Sequence, residues 1–157
     1  NTASILVRQE YRKIWKVSEE ELFLQAFENT PKLLPPELKS MNTLIQEALS
    51  GQELEDEKEY QEGEIPMYVL TNVMRFNGAA AMLYPGVISN FARRLGKDLY
   101  ILPSSIHEVI LIPLVSDIEK HVLEQMVREV NQEEVEQMEQ LSNEVYCYFR
   151  ENEEFTL

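Results

Sequence analysis

Leu99-Tyr100-Ile101-Leu102-Pro103-Ser104-Ser105-Ile106-His107-Glu108-Val109-Ile110-Leu111-Ile112-Pro113-Leu114 carries two short apolar runs joined by a turn-rich connection. Each run is rich in β-branched or aromatic residues and too short for a buried helix, so each reads as a strand. Pro103-Ser104-Ser105 between them supplies turn chemistry: a fixed proline φ, then hydroxyls that bond nearby backbone. The stretch therefore predicts a β-hairpin with strands Leu99–Leu102 and Glu108–Leu114, and the fold is expected to be built around it.

Working outward, Val87, Ile88, Phe91, Ala92 and Leu95 recur at helical spacing, with Gly96 at the stop position. Asn77-Gly78 and Pro85-Gly86 punctuate the chain before that helix, and Ala79–Tyr84 between them is open to strand or helix. Met67–Val73 is nearly all apolar and reads as a central strand buried on both faces. Ser116-Asp117-Ile118-Glu119 is a capping box, predicting a helix over 117–131 with Ile118, Val122, Leu123, Met126, Val127 and Val130 on one face. Val145–Phe149 alternates as a last strand or a helix end.

Towards the N-terminus, Ser18-Glu19-Glu20-Glu21 is a second capping box, with Val17 and Leu22 placed as a hydrophobic staple. Its helix is expected over 19–29, burying Leu22, Phe23, Ala26 and Phe27, and stopped by Thr30-Pro31. Ala3–Arg8 reads as a short strand, and Gln9–Lys16 as a short helix or turn. Pro35-Pro36 marks a rigid break. A helix is expected over 42–49 with Leu44, Ile45, Ala48 and Leu49 inward, ended by Gly51. Residues 51–64 lack apolar periodicity and read as a mobile acidic loop rather than a domain boundary.

The chain of 157 residues is long enough to bury a core, and its 44% hydrophobic and 27% charged residues argue against global disorder. No apolar run approaches the roughly 18–20 residues of a membrane span. The chain opens on Asn1-Thr2-Ala3-Ser4, with neither Met nor a basic leader, as a fragment or processed chain would. Cys147 is the single cysteine, which excludes an internal disulfide and fits a reducing compartment; a cytoplasmic location is expected.

The net charge of −14 is unevenly spread. Residues 1–46 are neutral, 47–64 carry −7, 65–116 carry +2 and 117–157 carry −9. Arg93, Arg94 and Lys97, with Arg75, form the only basic cluster. It lacks a glycine-rich loop, so direct nucleic-acid or phosphate binding is disfavoured, and pairing with acids is its expected role.

The most suggestive chemistry lies in the hairpin turn. Ser104, Ser105 and His107 offer two hydroxyls and an imidazole, with Glu108 next in sequence. A nucleophilic relay needs the imidazole between nucleophile and acid. On an extended chain Ser105 and His107 share a face while Glu108 points away, so a distant acid would have to converge on His107. There is no Gly-x-Ser-x-Gly elbow. His107-Glu108 begins like a zinc-protease motif, but Leu111 stands where the second histidine is needed. His121 falls on a polar helix side. With two histidines and no cysteine pair, no metal site is expected. Glu129, Glu133, Glu136 and Glu139 recur at helical spacing without the Glu-x-x-His of di-iron bundles, and read as a solvated face. Cys147 shares its face with Val145 and Phe149 and is expected to pack in the core. No cofactor is expected.

Several phrases together resemble a family. They are Ser18-Glu19-Glu20-Glu21-Leu22 through Asn29-Thr30-Pro31, Tyr68–Asn72, Gly78–Gly86, Leu99–Pro113, Met126–Asn131 and Leu141–Tyr146. The set resembles a bacterial domain of unknown function from anaerobic gut organisms, over nearly the whole chain. The resemblance implies that this chain corresponds to the C-terminal part of such proteins, and it carries over no catalytic residue. A second likeness, to another uncharacterised bacterial family with a strand, a helix and a Pro-polar-polar hairpin in the same order, implies an α+β topology.

The expected fold is therefore a single α+β domain, residues 1–157: a mostly antiparallel sheet from Ala3–Arg8, Met67–Val73, the hairpin and Val145–Phe149, packed by about four helices. The leading functional expectation is a non-enzymatic interaction or accessory domain with a protein partner or a second copy. The alternatives are a hydrolase-like enzyme centred on Ser104, Ser105 and His107, and an acidic mimic of nucleic acid.

Overall fold

The computed structural model describes residues 5–55, 65–115 and 118–157. It is an α+β protein. Among the described residues are α1 (Gln9–Trp15), α2 (Glu19–Leu33), β1 (Pro36–Ser40), α3 (Met41–Ser50), β2 (Tyr68–Asn72), a 3-10 helix (Gly78–Leu83), α4 (Val87–Leu95), β3 (Leu99–Leu102), β4 (Val109–Pro113), α5 (Lys120–Glu133), β5 (Tyr146–Phe149) and β6 (Glu154–Thr156). The chain divides into two compact units, residues 1–33 and 34–157.

The larger unit is a six-stranded sheet in the order β1-β2-β4-β3-β5-β6, with every neighbouring pair antiparallel. The predicted hairpin is its centre: Leu99 faces Pro113 and Leu102 faces Ile110 across β3 and β4. Because side chains alternate along a strand, the apolar runs feed two cores. Leu99, Ile101, Val109 and Leu111 pack with Leu70, Tyr148, Ala79 and Ala81 of the 3-10 helix and Ile88, Phe91 and Ala92 of α4. Tyr100, Leu102 and Ile112 point the other way, onto Leu123 and Val127 of α5 with Val145 and Cys147. The hairpin is apolar at nearly every position because it is covered on both faces.

The stop signals at Gly51 and Gly96 hold: both adopt left-handed backbone, at φ 69° and 67°, and close α3 and α4. Gly78 is required for a different reason. A Cβ there would collide with Thr71 Oγ1 and lie 2.5 Å from the His107 carbonyl oxygen.

Several expectations are corrected. Residues 1–4 lie outside the described residues, and Ile5–Arg8 forms no strand, because no strand pairs with it. Pro35-Pro36 is not a plain break: Pro36 opens β1, where an edge position tolerates a missing N–H. Thr30-Pro31 does not end α2, which runs on to Leu33; so near the C-terminus the proline forfeits little of the helical ladder. Neither α1 nor α2 buries a residue, so Phe23 and Phe27 are exposed rather than core. In α3, Ile45, Ala48 and Leu49 face solvent while Thr43 and Glu47 are buried, for the electrostatic reason given below. Of the capping box predicted at Ser116–Glu119, Ser116 and Asp117 lie outside the described residues. Helix α5 begins at Lys120, not 117, because Ile118 instead packs under α5 and its carbonyl accepts from the Tyr100 hydroxyl. On α5, Val122 is half-exposed, and Met126 and Val130 are partly exposed. Strand β6 carries no predicted signal. Residues 56–64 of the acidic loop lie outside the described residues.

The smaller unit is a helical hairpin. Its capping box forms as the sequence implies: the Glu21 N–H donates to Ser18 Oγ at 3.1 Å, and the Ser18 N–H donates to Glu21 Oε2 at 2.7 Å. Lys16, in left-handed backbone, ends α1, and Arg12 bonds Glu19 across the turn at 2.9 Å.

Candidate functional site

The hairpin turn is laced to two other segments. The Ile106 N–H donates to the Glu139 carbonyl at 2.9 Å, and the Leu141 N–H donates to the Ser104 carbonyl at 2.9 Å. The Ala79 N–H reaches the Ile106 carbonyl at 3.1 Å, and the Thr71 hydroxyl donates to the His107 carbonyl at 2.8 Å. Ser105 Oγ accepts from the His107 N–H at 3.0 Å, a local side-chain turn of the expected kind.

Both nitrogens of His107 are committed. Nδ1 accepts from the Asn77 N–H at 3.1 Å, which places the ring proton of the neutral imidazole on Nε2. Nε2 lies 3.2 Å from Glu139 Oε1, and the ring packs against Phe76. A distant acid does therefore converge on His107. It is Glu139, which the sequence places on a solvated helix face; α5 ends at Glu133, and the chain beyond it turns back to the hairpin. The arrangement is nevertheless wrong for a relay. The acid holds Nε2, a backbone amide holds Nδ1, and no ring nitrogen is left to take a proton from Ser105.

A second constellation was not legible in sequence. Lys39 on β1 donates to Glu47 of α3 and lies 3.9 Å from Glu37. Arg75, held at φ 51° in the turn after β2, bonds Glu37 at 2.9 Å and Glu47 at 3.4 Å. The Leu54 N–H donates to Glu47 at 2.9 Å. Ser40 caps α3 through the Thr43 N–H at 3.1 Å and so turns Thr43 and Glu47 inward. The hydrogen bond from Lys39, then that from Leu54, hold the Glu47 carboxyl down to about 2. Its bond to Glu47 raises the Lys39 ammonium, and the bond to Glu37 raises Arg75. The cavity beside this network, lined by Glu37, Lys39, Thr71, Arg75 and Glu108 among others, is about 120 Å³. That is well below the roughly 300 Å³ at which small-molecule sites begin. With Glu47 accepting from three donors, the network ties β1, α3 and the β2 turn together and offers no free base. The one sequence signal that could have found it is the polar spacing of Ser40, at the N-cap of α3, with Thr43 and Glu47 on the helix.

The basic cluster separates into ordinary roles. Arg75 belongs to the network above, Arg93 pairs with Glu153 at 2.9 Å, and Arg94 stacks on the Phe91 ring. Cys147 is buried, and burial pushes its thiol up. His121 is exposed beside Glu119. Among the described residues no group of three or more histidine, cysteine or carboxylate side chains stands close enough to hold a metal ion, and no helix is long and apolar enough to cross a membrane.

The helical unit presents a different surface. A groove of about 430 Å³ runs along it, lined by apolar Val7, Leu22, Phe23 and Ala26 and by Arg12 and Glu19. Beside it, Ile14, Trp15, Leu24 and Phe27 are exposed. Residues 1–150 match the Family of unknown function (DUF5688). No curated protein and no solved structure matches the chain.

Proposed function

The chain belongs to this family of unknown function, and from its geometry we propose that it is a non-enzymatic interaction domain whose helical unit, residues 5–33, docks onto another folded protein chain. The observation that carries this reading is that neither helix of the unit buries a residue while both expose large apolar side chains. Helices of seven and fifteen residues are at or below the length at which isolated helices become marginal in water, roughly 12–15 residues. Their stability has to come from packing an apolar face, and exposed apolar surface of this kind marks interaction sites. The hairpin turn supports the same reading from the other side: Ser105 and both nitrogens of His107 are engaged in bonds that join three segments, as structural residues are.

The test places a photo-crosslinking phenylalanine analogue at Phe27 in cells that make the protein. One protein adduct of defined mass is expected, lost when Trp15→Ser and Phe23→Ser are added. The same probe at Met138, which is 90% exposed on the larger unit, should give none. No protein adduct at Phe27, or equal adducts at both positions, would overturn the reading.

A further inference from the structure

We infer that the docking partner is a second copy of this chain, the two helical units pairing about a twofold axis so that α1 of each lies against α2 of the other. This rests on the docking reading above and names its occupant. Two observations carry it, one of charge and one of area.

The charge on the unit is divided between its two halves, α1 with its flanking residues and α2. Residues 5–17 carry four bases and one acid, net +3. Residues 18–33 carry four acids and one base, net −3. A twofold interface brings the same patch of each copy together, so a surface pairs with itself only if it is self-complementary. This one is: the basic half of each copy meets the acidic half of the other, twice, and the unit as a whole is neutral. The remaining 124 residues hold the entire net charge of −14. The acidic part of the chain repels its own copies, which leaves the neutral unit as the surface able to bring two together. Part of this charge is already used within one hairpin, in the Arg12–Glu19 and Glu28–Lys32 pairs. Lys13, Lys16 and Glu20 are exposed and free of such pairs among the interactions described, and they are the groups available to a second copy.

The area is adequate. Trp15, Phe23 and Phe27 are 51%, 59% and 52% exposed. At about 150–250 Å² for a buried aromatic side chain, their exposed halves offer roughly 300 Å². Ile14 and Leu24, each more exposed still, add roughly 200 Å² on the Phe23–Phe27 side, and with an interface about two-thirds apolar that approaches the ~800 Å² per partner of a stable one. Two helical hairpins packed this way form a four-helix arrangement, the smallest helical assembly that encloses a core of its own.

The experiment uses the full chain and measures mass in solution by sedimentation equilibrium and native mass spectrometry. The wild type is expected to be a dimer. Lys13→Glu with Lys16→Glu makes the α1 half, residues 5–17, acidic, so both α1–α2 contacts become repulsive. Glu20→Lys with Glu28→Lys makes the same contacts repulsive from the basic side. Each double variant alone should weaken dimerisation by at least about tenfold. An equimolar mixture should restore it, because each contact then again joins opposite charges. Restoration also shows that neither variant has merely unfolded. A monomeric wild type at all concentrations, variants that dimerise like wild type, or a mixture that stays monomeric would each overturn the inference. A monomeric wild type whose Phe27 probe still captures a different protein would reject the second copy and leave the docking reading standing.

Discussion

Consecutive residues in β4 should be almost equally costly to truncate. Leu111 and Ile112 are both fully buried, yet their side chains lie in different cores, one beneath α4 and the 3-10 helix and the other beneath α5. In a sheet with one wet face, one of two neighbouring strand residues would be exposed and cheap to remove. Here each truncation deletes three buried carbons and leaves a cavity in a packed interior, a change that costs about 2–5 kcal/mol. For a chain of this size each kcal/mol lowers the melting midpoint by about 2–4 °C, so Leu111→Ala and Ile112→Ala should each lose roughly 5–15 °C. Ile110 is only half-buried, and Ile110→Ala should cost less than either. The assay is urea and thermal unfolding followed by far-UV circular dichroism. Tryptophan fluorescence would report the wrong unit, because Trp15, the only tryptophan, lies in α1. If either Leu111→Ala or Ile112→Ala costs under about 1 kcal/mol with an unchanged denaturant slope, the sheet is not covered on both faces.

Other expectations follow from single groups. Glu47 loses its proton at lower pH in the folded chain, about 2, than its ordinary value of 4.5. The stability it supplies is therefore complete above 4.5 and is lost as pH falls from 4.5 towards 2. Glu47→Gln should flatten the unfolding midpoint over that window, and an unchanged acid limb would refute the network. Buried Cys147 with its raised thiol should react slowly with a disulfide reagent in the native protein and stoichiometrically in denaturant; fast native labelling would contradict its placement. A fluorophosphonate probe should leave Ser104 and Ser105 unlabelled, and stoichiometric labelling abolished by His107→Ala would promote the hydrolase alternative. Gly78→Ala should destabilise strongly, since the new methyl meets the Thr71 side chain and the backbone of Asn72 in β2 and of His107 in the hairpin turn, and a midpoint within error of wild type would show that the turn can move.

What the sequence determined by itself was local. Apolar runs with β-branched residues identified β2, β3 and β4, while the alternation over Val145–Phe149 left β5 open between strand and helix end. Glycines at left-handed positions closed α3 and α4, and Ser18 with Glu21 announced the start of α2. Each of these depends on residues within a few positions of one another, where steric and hydrogen-bonding preferences act without a partner. Tertiary structure decided the rest, because the partners are distant in the chain. Pro36–Ser40 became a strand only because β2 offers it an edge. Helix α3 turned a polar stripe inward, against its apolar pattern, because Glu47 finds Lys39 and Arg75 there. Glu139 left the apparent helical series to meet His107, thirty-two residues earlier, once the chain after α5 reversed. The apolar stripe of α2 was legible as a stripe, but periodicity says only that a face needs covering and not what covers it. Within residues 5–33 nothing does, and that is the observation from which the interaction reading follows.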